Sequence, residues 1–114
     1  MQFMLLIYGD IYTLPHSEEE GEALSAGFAS WTADLKASGA FVAGNPLAPT
    51  SSATTVRERD GAFAITDGPF AETKEFLGGF CIIEAESLDD VLEIAKRCPG
   101  AKYGPLEIRP IVAM

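Results

Sequence analysis

Apolar residues follow two different periods along this chain, and each period predicts one kind of element. Residues 3 to 8 are all apolar, which is typical of a strand that is covered on both faces. A second apolar set recurs at spacings of four, three and four, as one stripe of a helix does: Leu24, Phe28, Trp31 and Leu35. With Ser17 and Glu20 as a capping box and Gly39 as the stop, this stripe predicts a helix from Glu18 to Ser38 with Trp31 in the core.

A β-hairpin is predicted around the Asp-Gly dipeptide at 60–61, which favours a two-residue turn. The turn sets a register in which Thr54 pairs with Asp67. Because side chains alternate along a strand, Asp67 then shares a face with Phe63 and Ile65. A carboxylate on an apolar face needs a hydrogen-bond donor, and the Thr54 hydroxyl is the candidate.

The remaining predicted elements are three strands and a second helix. Strands are expected at 40–43, 77–86 and 106–112, with Pro110 marking the last one as an edge strand or a bulge. The second helix follows Ser87, and its predicted apolar stripe consists of Leu88, Val91, Leu92 and Ala95. This order predicts a single α+β domain over residues 1–114: a ferredoxin-like antiparallel sheet with two helices on one face and an inserted β-hairpin.

The two faces of this sheet are unequally covered in the prediction. Two helices cover only one face, yet the strands at 3–8 and 80–83 carry apolar side chains on both faces. A second copy on the bare face removes the mismatch, and two-fold homodimers are the commonest such assembly. We therefore expect a homodimer whose sheets face each other around a central cavity able to hold a small-molecule ligand.

Charge and cysteine content narrow the classes of partner. A formal charge of −9 disfavours nucleic acids and anionic membranes, which are bound through clustered Lys and Arg. The apolar amino-terminal run is far shorter than the roughly 20 residues of a membrane helix and has no basic leader, which favours a cytoplasmic protein. Cys81, Cys98 and one His cannot supply the about four N or S ligands of a zinc site. Free buried thiols and no cofactor are expected, although a cation held by carboxylates stays open.

Residues 67–75, DGPFAETKE, supply most of the candidate chemistry. Asp67 beside an apolar strand face is a candidate general base, and Lys74 is a candidate for stabilising an oxyanion. His16, the single histidine, is the third catalytic candidate if its loop folds over the cavity mouth. The candidate reaction is proton transfer next to a carbonyl or a phenol, without a metal.

Four further residues are candidates for binding the substrate: Tyr8, Thr54, Arg57 and Glu72. A structural interpretation stands beside the chemical one, because Asp-Gly-Pro is a turn sequence. In that interpretation Asp67 accepts backbone N–H groups, Pro69 opens a short helix, Phe70 fills the core, and the charged residues after it are solvated. His16 then belongs to an exposed loop.

Four segments carry a family resemblance: MQFMLLIYGD, TTVRERDGAFAITDGPFAETKEFLGGF, LDDVLEIAKRCPG and GPLEIRPI. They resemble the DGPF-domain branch of the YciI-like, or YCII-related, family. The resemblance implies a dimeric α/β barrel of ferredoxin-like subunits. It also implies a branch mostly of unassigned function, whose members are often encoded beside extracytoplasmic-function sigma factors.

Some YciI-like relatives are small lyases that move protons on ring compounds with a histidine and an aspartate. Neither group is matched here, since residues 18–38 contain no histidine and the stretch after the second helix reads Arg97-Cys98-Pro99-Gly100. Two hypotheses follow. The protein is either a small-molecule cavity protein with lyase-type acid/base activity, or a non-catalytic regulatory or sensor partner linked to a sigma factor.

Overall fold

A computed structural model describes residues 1–114, which form six strands and two α-helices. In chain order these are β1 (Gln2–Asp10), α1 (Glu18–Ser38), β2 (Phe41–Pro46), β3 (Thr54–Arg59), β4 (Ala62–Asp67), β5 (Glu75–Glu84), α2 (Leu88–Lys96) and β6 (Leu106–Pro110). One antiparallel sheet has the order β2-β5-β1-β6, and β3 and β4 form a separate two-stranded ribbon. The predicted α+β fold with two helices and antiparallel strands is confirmed.

Helix α1 begins and ends where the sequence predicts. The Ser17 hydroxyl accepts a hydrogen bond from the Glu20 N–H at 3.1 Å, and Gly39 ends the helix in the left-handed conformation with φ 81°. The Glu20 carboxylate departs from the predicted capping box, because it accepts from the His16 N–H at 3.0 Å rather than from Ser17. Trp31 is buried, and its indole N–H donates to the Ile94 carbonyl at 3.1 Å, which ties α1 to α2.

The core lies between the two helices and one face of the four-stranded sheet. Its buried residues are Phe3, Leu5, Trp31, Leu35, Cys81, Ile83, Val91 and Cys98. Since both helices contribute to this cluster, both cover the same face of the sheet. Alternation places four other apolar side chains of β1 and β5 on the opposite face, which no helix covers: Met4, Leu6, Phe80 and Ile82. We call this surface the open face.

Only part of the stripe predicted for α2 faces the core. Val91 is fully buried and Ala95 packs against the core, whereas Leu88 and Leu92 are 51% and 39% exposed. Ile94 replaces them on the core side, because the buried row of this short helix runs through positions 91, 94 and 95. The prediction for Leu88 and Leu92 was therefore wrong, and these two side chains form an exposed apolar pair.

The β3–β4 hairpin has the predicted turn and register. Asp60 with φ 50° and Gly61 with φ 81° form the turn, and Thr54 pairs with Asp67. The shared face carries three large apolar side chains that are 58%, 68% and 69% exposed, respectively: Val56, Phe63 and Ile65. The face that the sequence assigns to the interior is thus uncovered within one protomer.

The sheet contains a β-bulge, and Pro110 lies at its edge as predicted. Ile7 pairs with Gly79 and Tyr8 with Leu77, so Gly78 is the extra residue of a β-bulge. Pro110 lies on β6, which is an edge strand. Neither helix combines the length and apolar character that crossing a membrane requires.

Candidate functional site

A cleft of about 720 Å³ opens between α1, the edge strand β2 and the start of β5. Aromatic rings dominate its walls, with Phe28 from α1, Phe41 from β2 and Phe76 from β5. The Trp31 indole also lines it, next to Phe28 in an edge-to-face contact with ring centroids 6.2 Å apart. The cleft is therefore a largely apolar, aromatic space on the helix-covered side of the sheet.

Small residues create this space. Helix α1 presents Ser25, Ala29 and Ala33 to the cleft, and these short side chains leave room above β2 and β5. At Gly44 a Cβ atom would lie 2.9 Å from the Phe80 carbonyl oxygen, so only glycine permits the close approach of β2 and β5 there. The run LSAGFAS in α1 was the sequence signal for the cleft, and sequence reasoning missed it.

Lys36 is the only charged side chain that lines the cleft. Its Nζ lies 5.1 Å from the centroid of the Phe41 ring, within the range of a cation–π contact. Neither a carboxylate nor a histidine lines the cleft. The electrostatics of the space therefore favour an electron-rich or anionic apolar molecule over a cation.

A second, polar pocket of about 660 Å³ lies where β1 ends and β5 begins. Its lining consists of Tyr8, Thr73, Lys74, Glu75, Pro105, Leu106 and Glu107. Tyr8 lines both this polar pocket and the aromatic cleft. Of the seven site residues predicted from the sequence, the polar pocket brings together two, Tyr8 and Lys74.

The backbone of Tyr8 is fixed by its neighbours. Its N–H donates to the Pro105 carbonyl at 3.0 Å, and the bulge at Gly78 lies directly across the strand pair. At Gly104 a Cβ atom would lie 2.1 Å from the Tyr8 carbonyl oxygen, so a side chain cannot be placed there without moving the strand. Bulges commonly re-aim a side chain next to a binding site. Here the extra residue is Gly78 of β5, and Tyr8 on the neighbouring strand borders both the cleft and the polar pocket.

Asp10 is a candidate that sequence reasoning missed. Its Oδ2 lies 3.6 Å from Lys74 Nζ, and its Oδ1 accepts from the Tyr12 N–H at 2.9 Å. The Ile11 N–H in turn donates to the Lys74 carbonyl at 2.8 Å, so the start of the loop after β1 is bound to the end of the DGPFAETKE segment. The sequence signal that could have identified Asp10 is its position at the end of the apolar strand β1, where an acidic residue follows a run of apolar ones.

Three predicted site residues lie on the β3–β4 hairpin: Thr54, Arg57 and Asp67. All three are exposed, and none lines the cleft or the polar pocket. The expected hydrogen bond from Thr54 to Asp67 is absent. Instead, the neighbouring Thr55 hydroxyl donates to the Gly68 carbonyl at 2.8 Å, because Gly68 turns the chain back with φ 98°.

The other predicted residues also lie apart from both pockets. His16 is exposed at the start of α1, and Glu72 is exposed in the segment between β4 and β5. Phe70 is exposed as well, and no helix begins at Pro69, so the prediction that Phe70 fills the protomer core was wrong. Gly68, with φ 98°, and the bends that follow it between β4 and β5 leave the ring exposed.

The two cysteines are free, buried thiols, as predicted. Burial raises the pKa of Cys81 from 9.0 to about 11, and the charge of Cys98 adds to this shift. Burial likewise raises the pKa of Cys98, partly offset by hydrogen bonds from the backbone of Gly100 and Ala101. Cys81, which lines the cleft, is therefore a neutral thiol there. No three His, Cys, Asp or Glu side chains are grouped to hold a metal ion.

A family model described as the YCII-related domain matches residues 1–114. The chain belongs to the YCII-related family. A relative, an uncharacterised protein of Rhizobium meliloti (strain 1021), is 35% identical over an alignment of 114 positions that covers 97% of this chain and 92% of the relative. The YCII-related domain thus spans the chain.

One solved structure with a similar fold is 5-chloro-2-hydroxyhydroquinone dehydrochlorinase from Burkholderia phenoliruptrix AC1100, in complex with 2,5-dihydroxybenzoquinone. The TM-score is 0.54 at 21% sequence identity, and the match covers 98% of this chain and 94% of that one. At this identity the likeness concerns the fold alone. It agrees with a ferredoxin-like arrangement of the YCII-related domain.

Proposed function

We propose that this YCII-related protein, a member of the DGPF branch, binds a flat apolar ring compound in the cleft. It acts in the cytoplasm as a homodimer and performs lyase-type proton transfer on that compound. The observation that carries the proposal is the 720 Å³ cleft with three phenylalanine walls and a single cation. Small-molecule sites are typically concave, mostly apolar and furnished with a few polar groups that fix orientation.

The lining of the cleft defines the class of ligand. Aromatic walls favour a planar ring, and Lys36 favours a phenolate, enolate or carboxylate on that ring. The similar fold of a dehydrochlorinase that is named for a chlorinated hydroxyhydroquinone and was solved with 2,5-dihydroxybenzoquinone guides the choice of probes toward hydroxylated rings. Phenols are therefore the first compounds to test.

Proton transfer is assigned to Tyr8, with Lys74 as the nearby cation. Within one protomer Asp67 and His16 lie outside both pockets, whereas Tyr8 borders cleft and polar pocket together. A ring held in the cleft must extend past the backbone of Tyr8 to its phenol, which exchanges a proton with a ring carbon and passes it to solvent on the polar side. Lys74, paired with Asp10, keeps a positive charge on the polar side.

The homodimer is supported by the open face. Four apolar side chains of β1 and β5 lie there without a helix above them, and only ten of 114 residues are buried within one protomer. Burying apolar surface is the main driving force for association. Sedimentation at micromolar concentration should give a dimer, and a monomer independent of pH and salt would remove this part of the proposal.

Trp31, the single tryptophan, provides the binding test because it lines the cleft. Titration with para-chlorophenol should change its fluorescence, with calorimetry as a check on light absorption by the phenol. Ser25→Phe fills the cleft and should abolish the response. Ser30→Phe makes the same change on α1 outside the cleft and should leave it intact. Equal binding by both variants would refute the cleft as the site.

The chemical part has its own test. In deuterated water, bound para-chlorophenol should gain deuterium at the ring carbons ortho to its hydroxyl faster than the free phenol does, because an acid at the site delivers a deuteron to the carbon before the proton leaves; NMR measures the rate. Tyr8→Phe should remove the acceleration while leaving the affinity within about threefold, since only the acid/base group is lost. Acceleration that survives in Tyr8→Phe would contradict the assigned role.

A second candidate function is favoured by the exposed pair Leu88 and Leu92 on α2. Exposed apolar patches often mark protein contacts, and this one lies away from the open face. Under this alternative the protein is a non-catalytic regulatory or sensor partner of an extracytoplasmic-function sigma factor. Pull-down of a purified sigma factor by wild type, but not by the Leu88→Ser, Leu92→Ser variant, would support it.

A further inference from the structure

Residues 54–67, comprising β3, β4 and their turn, form a projecting ribbon that we call the arm. The arm pairs with no strand of the main sheet. All twelve residues of its two strands are at least partly accessible, and only Thr55 is not fully exposed. The arm therefore lacks a packing partner within the protomer along both strands.

The two faces of the arm differ in chemistry. Cross-strand pairing puts Val56, Phe63 and Ile65 on one face, whereas the other face carries alanines, threonines and two arginines. An isolated two-stranded hairpin is marginal in water, and three large exposed apolar side chains add to its cost. A chain that keeps such a ribbon needs a surface to cover its apolar face.

The shape of the protomer is consistent with an arm that extends away from the body. Its principal dimensions are 47 × 43 × 18 Å, and the radius of gyration is 16.1 Å. A compact domain of this length has a radius of gyration of about 13 Å. The protomer is thus flat and extended, the form expected of one half of an intertwined assembly.

We infer that the arm of each protomer packs through its apolar face on a second copy of this chain, at the rim of that copy's open face. This inference rests on the homodimer proposed above and adds a reciprocal exchange of arms to it. The centres of the two open faces then pack on each other, and each arm covers the edge that this contact leaves exposed.

The available area fits a second copy. One face of the arm measures roughly 20 by 10 Å, from six residues and two strands at standard spacings. The open face of the four-stranded sheet measures roughly 19 by 16 Å by the same spacings. Together they give a flat footprint of about 500 Å² per protomer, which side-chain relief brings near the about 800 Å² per partner of standard interfaces.

Charge is complementary as well. The apolar face of the arm carries two acids at its ends, Glu58 and Asp67. At the rim of the open face, β6 carries Arg109 opposite Met4 and Glu107 opposite Leu6, and neither makes an ion pair within the protomer, so the complementarity concerns the Arg109 end of the rim. The arm of a second copy would therefore bring an acid to an unpaired arginine. Asp67 then belongs to the interface rather than to bulk solvent.

Two neighbouring residues of the arm give a matched test, because their side chains point to opposite faces. Ile65→Glu places a charge on the apolar face and should raise the dimer dissociation constant about 30-fold or more, the change expected of an interface hot spot. Ala64→Glu makes the same substitution on the polar face and should change it less than about threefold. Sedimentation equilibrium measures both constants.

Hydrogen exchange of the wild-type arm separates the inference from the homodimer itself. Amides of β3 and β4 should be protected above the dissociation constant and exchange rapidly below it. Two results would overturn the packing of the arm on a second copy and leave the homodimer standing. One is a stable dimer whose arm amides undergo rapid hydrogen exchange at every protein concentration. The other is an equal change of the dissociation constant in Ile65→Glu and Ala64→Glu. A monomeric wild type would overturn both, while the cleft would still bind para-chlorophenol.

Discussion

The main sheet and the arm follow the same strand pattern, but only the main sheet buries one of its faces within the protomer. In both, side chains alternate between the two faces of antiparallel strands, and the register decides which of them share a face. On the helix-covered side of the sheet this pattern produces a closed core around Leu5 and Ile83, both without solvent exposure. On the arm it produces an uncovered face. Alternation thus determines which side chains share a face, and the rest of the assembly determines whether that face is buried.

The largest expected effect comes from removing one aromatic ring in each region. Trp31→Ala deletes a buried ring and its hydrogen bond to Ile94, and should cost about 3–5 kcal/mol of unfolding free energy at any protein concentration. Phe63→Ala should cost under about 0.5 kcal/mol in the dilute monomer. Urea unfolding at two protein concentrations measures both. If Phe63→Ala lowered the unfolding free energy by several kcal/mol at both protein concentrations, the arm would be as tightly packed within the protomer as the core, and the comparison would be wrong.

A smaller effect is expected at alkaline pH, and it belongs to the closed core. The pKa of Cys81 is raised from 9.0 to about 11, so the folded protein holds this proton more tightly than the unfolded chain does. The stabilisation is fully present below pH 9 and is lost as the pH rises toward 11. Urea midpoints across this range should fall more steeply for wild type than for Cys81→Ala. Parallel curves would contradict the burial argument.

The smallest expected effect concerns the pair between Lys74 and Asp10. Their atoms are 3.6 Å apart and the Lys74 side chain is 59% exposed, so the pair is screened by water. Lys74→Met should change the unfolding free energy by less than about 1 kcal/mol. Thermal unfolding measures this change, and deuterium exchange into a bound phenol tests the separate role in chemistry. A large loss of stability would place Lys74 with the structural core instead.

Sequence patterns predicted local structure well where the local signal was strong. The bounds of α1, the hairpin register and the edge position of Pro110 all follow from caps, turns and alternation. The apolar stripe predicted for α2 was wrong at Leu88 and Leu92, which are exposed. The helix has nine residues, and so few turns do not define which face is buried.

The candidate site was harder to predict than the fold. Conspicuous charges drew attention to DGPFAETKE, yet within a protomer only Lys74 and its neighbours reach a pocket. The aromatic cleft depends on small residues, such as Ser25 and Gly44, and on the close approach of segments that are far apart in sequence. A pattern of hydrophobic and polar positions does not record empty space, so the cleft follows only from the packing of α1 against the sheet.

The most direct test of the account is to map where a small ring compound binds by amide NMR. Para-chlorophenol should shift the amides of Ser25, Ala29, Gly44 and Gly79, which surround the cleft, and should leave those of the arm and of α2 unchanged. Chlorobenzene, which lacks the hydroxyl that Lys36 favours, should bind more weakly at the same place. Shifts confined to the arm or to Leu88 and Leu92, or no saturable shift at all, would contradict the cleft as the functional site.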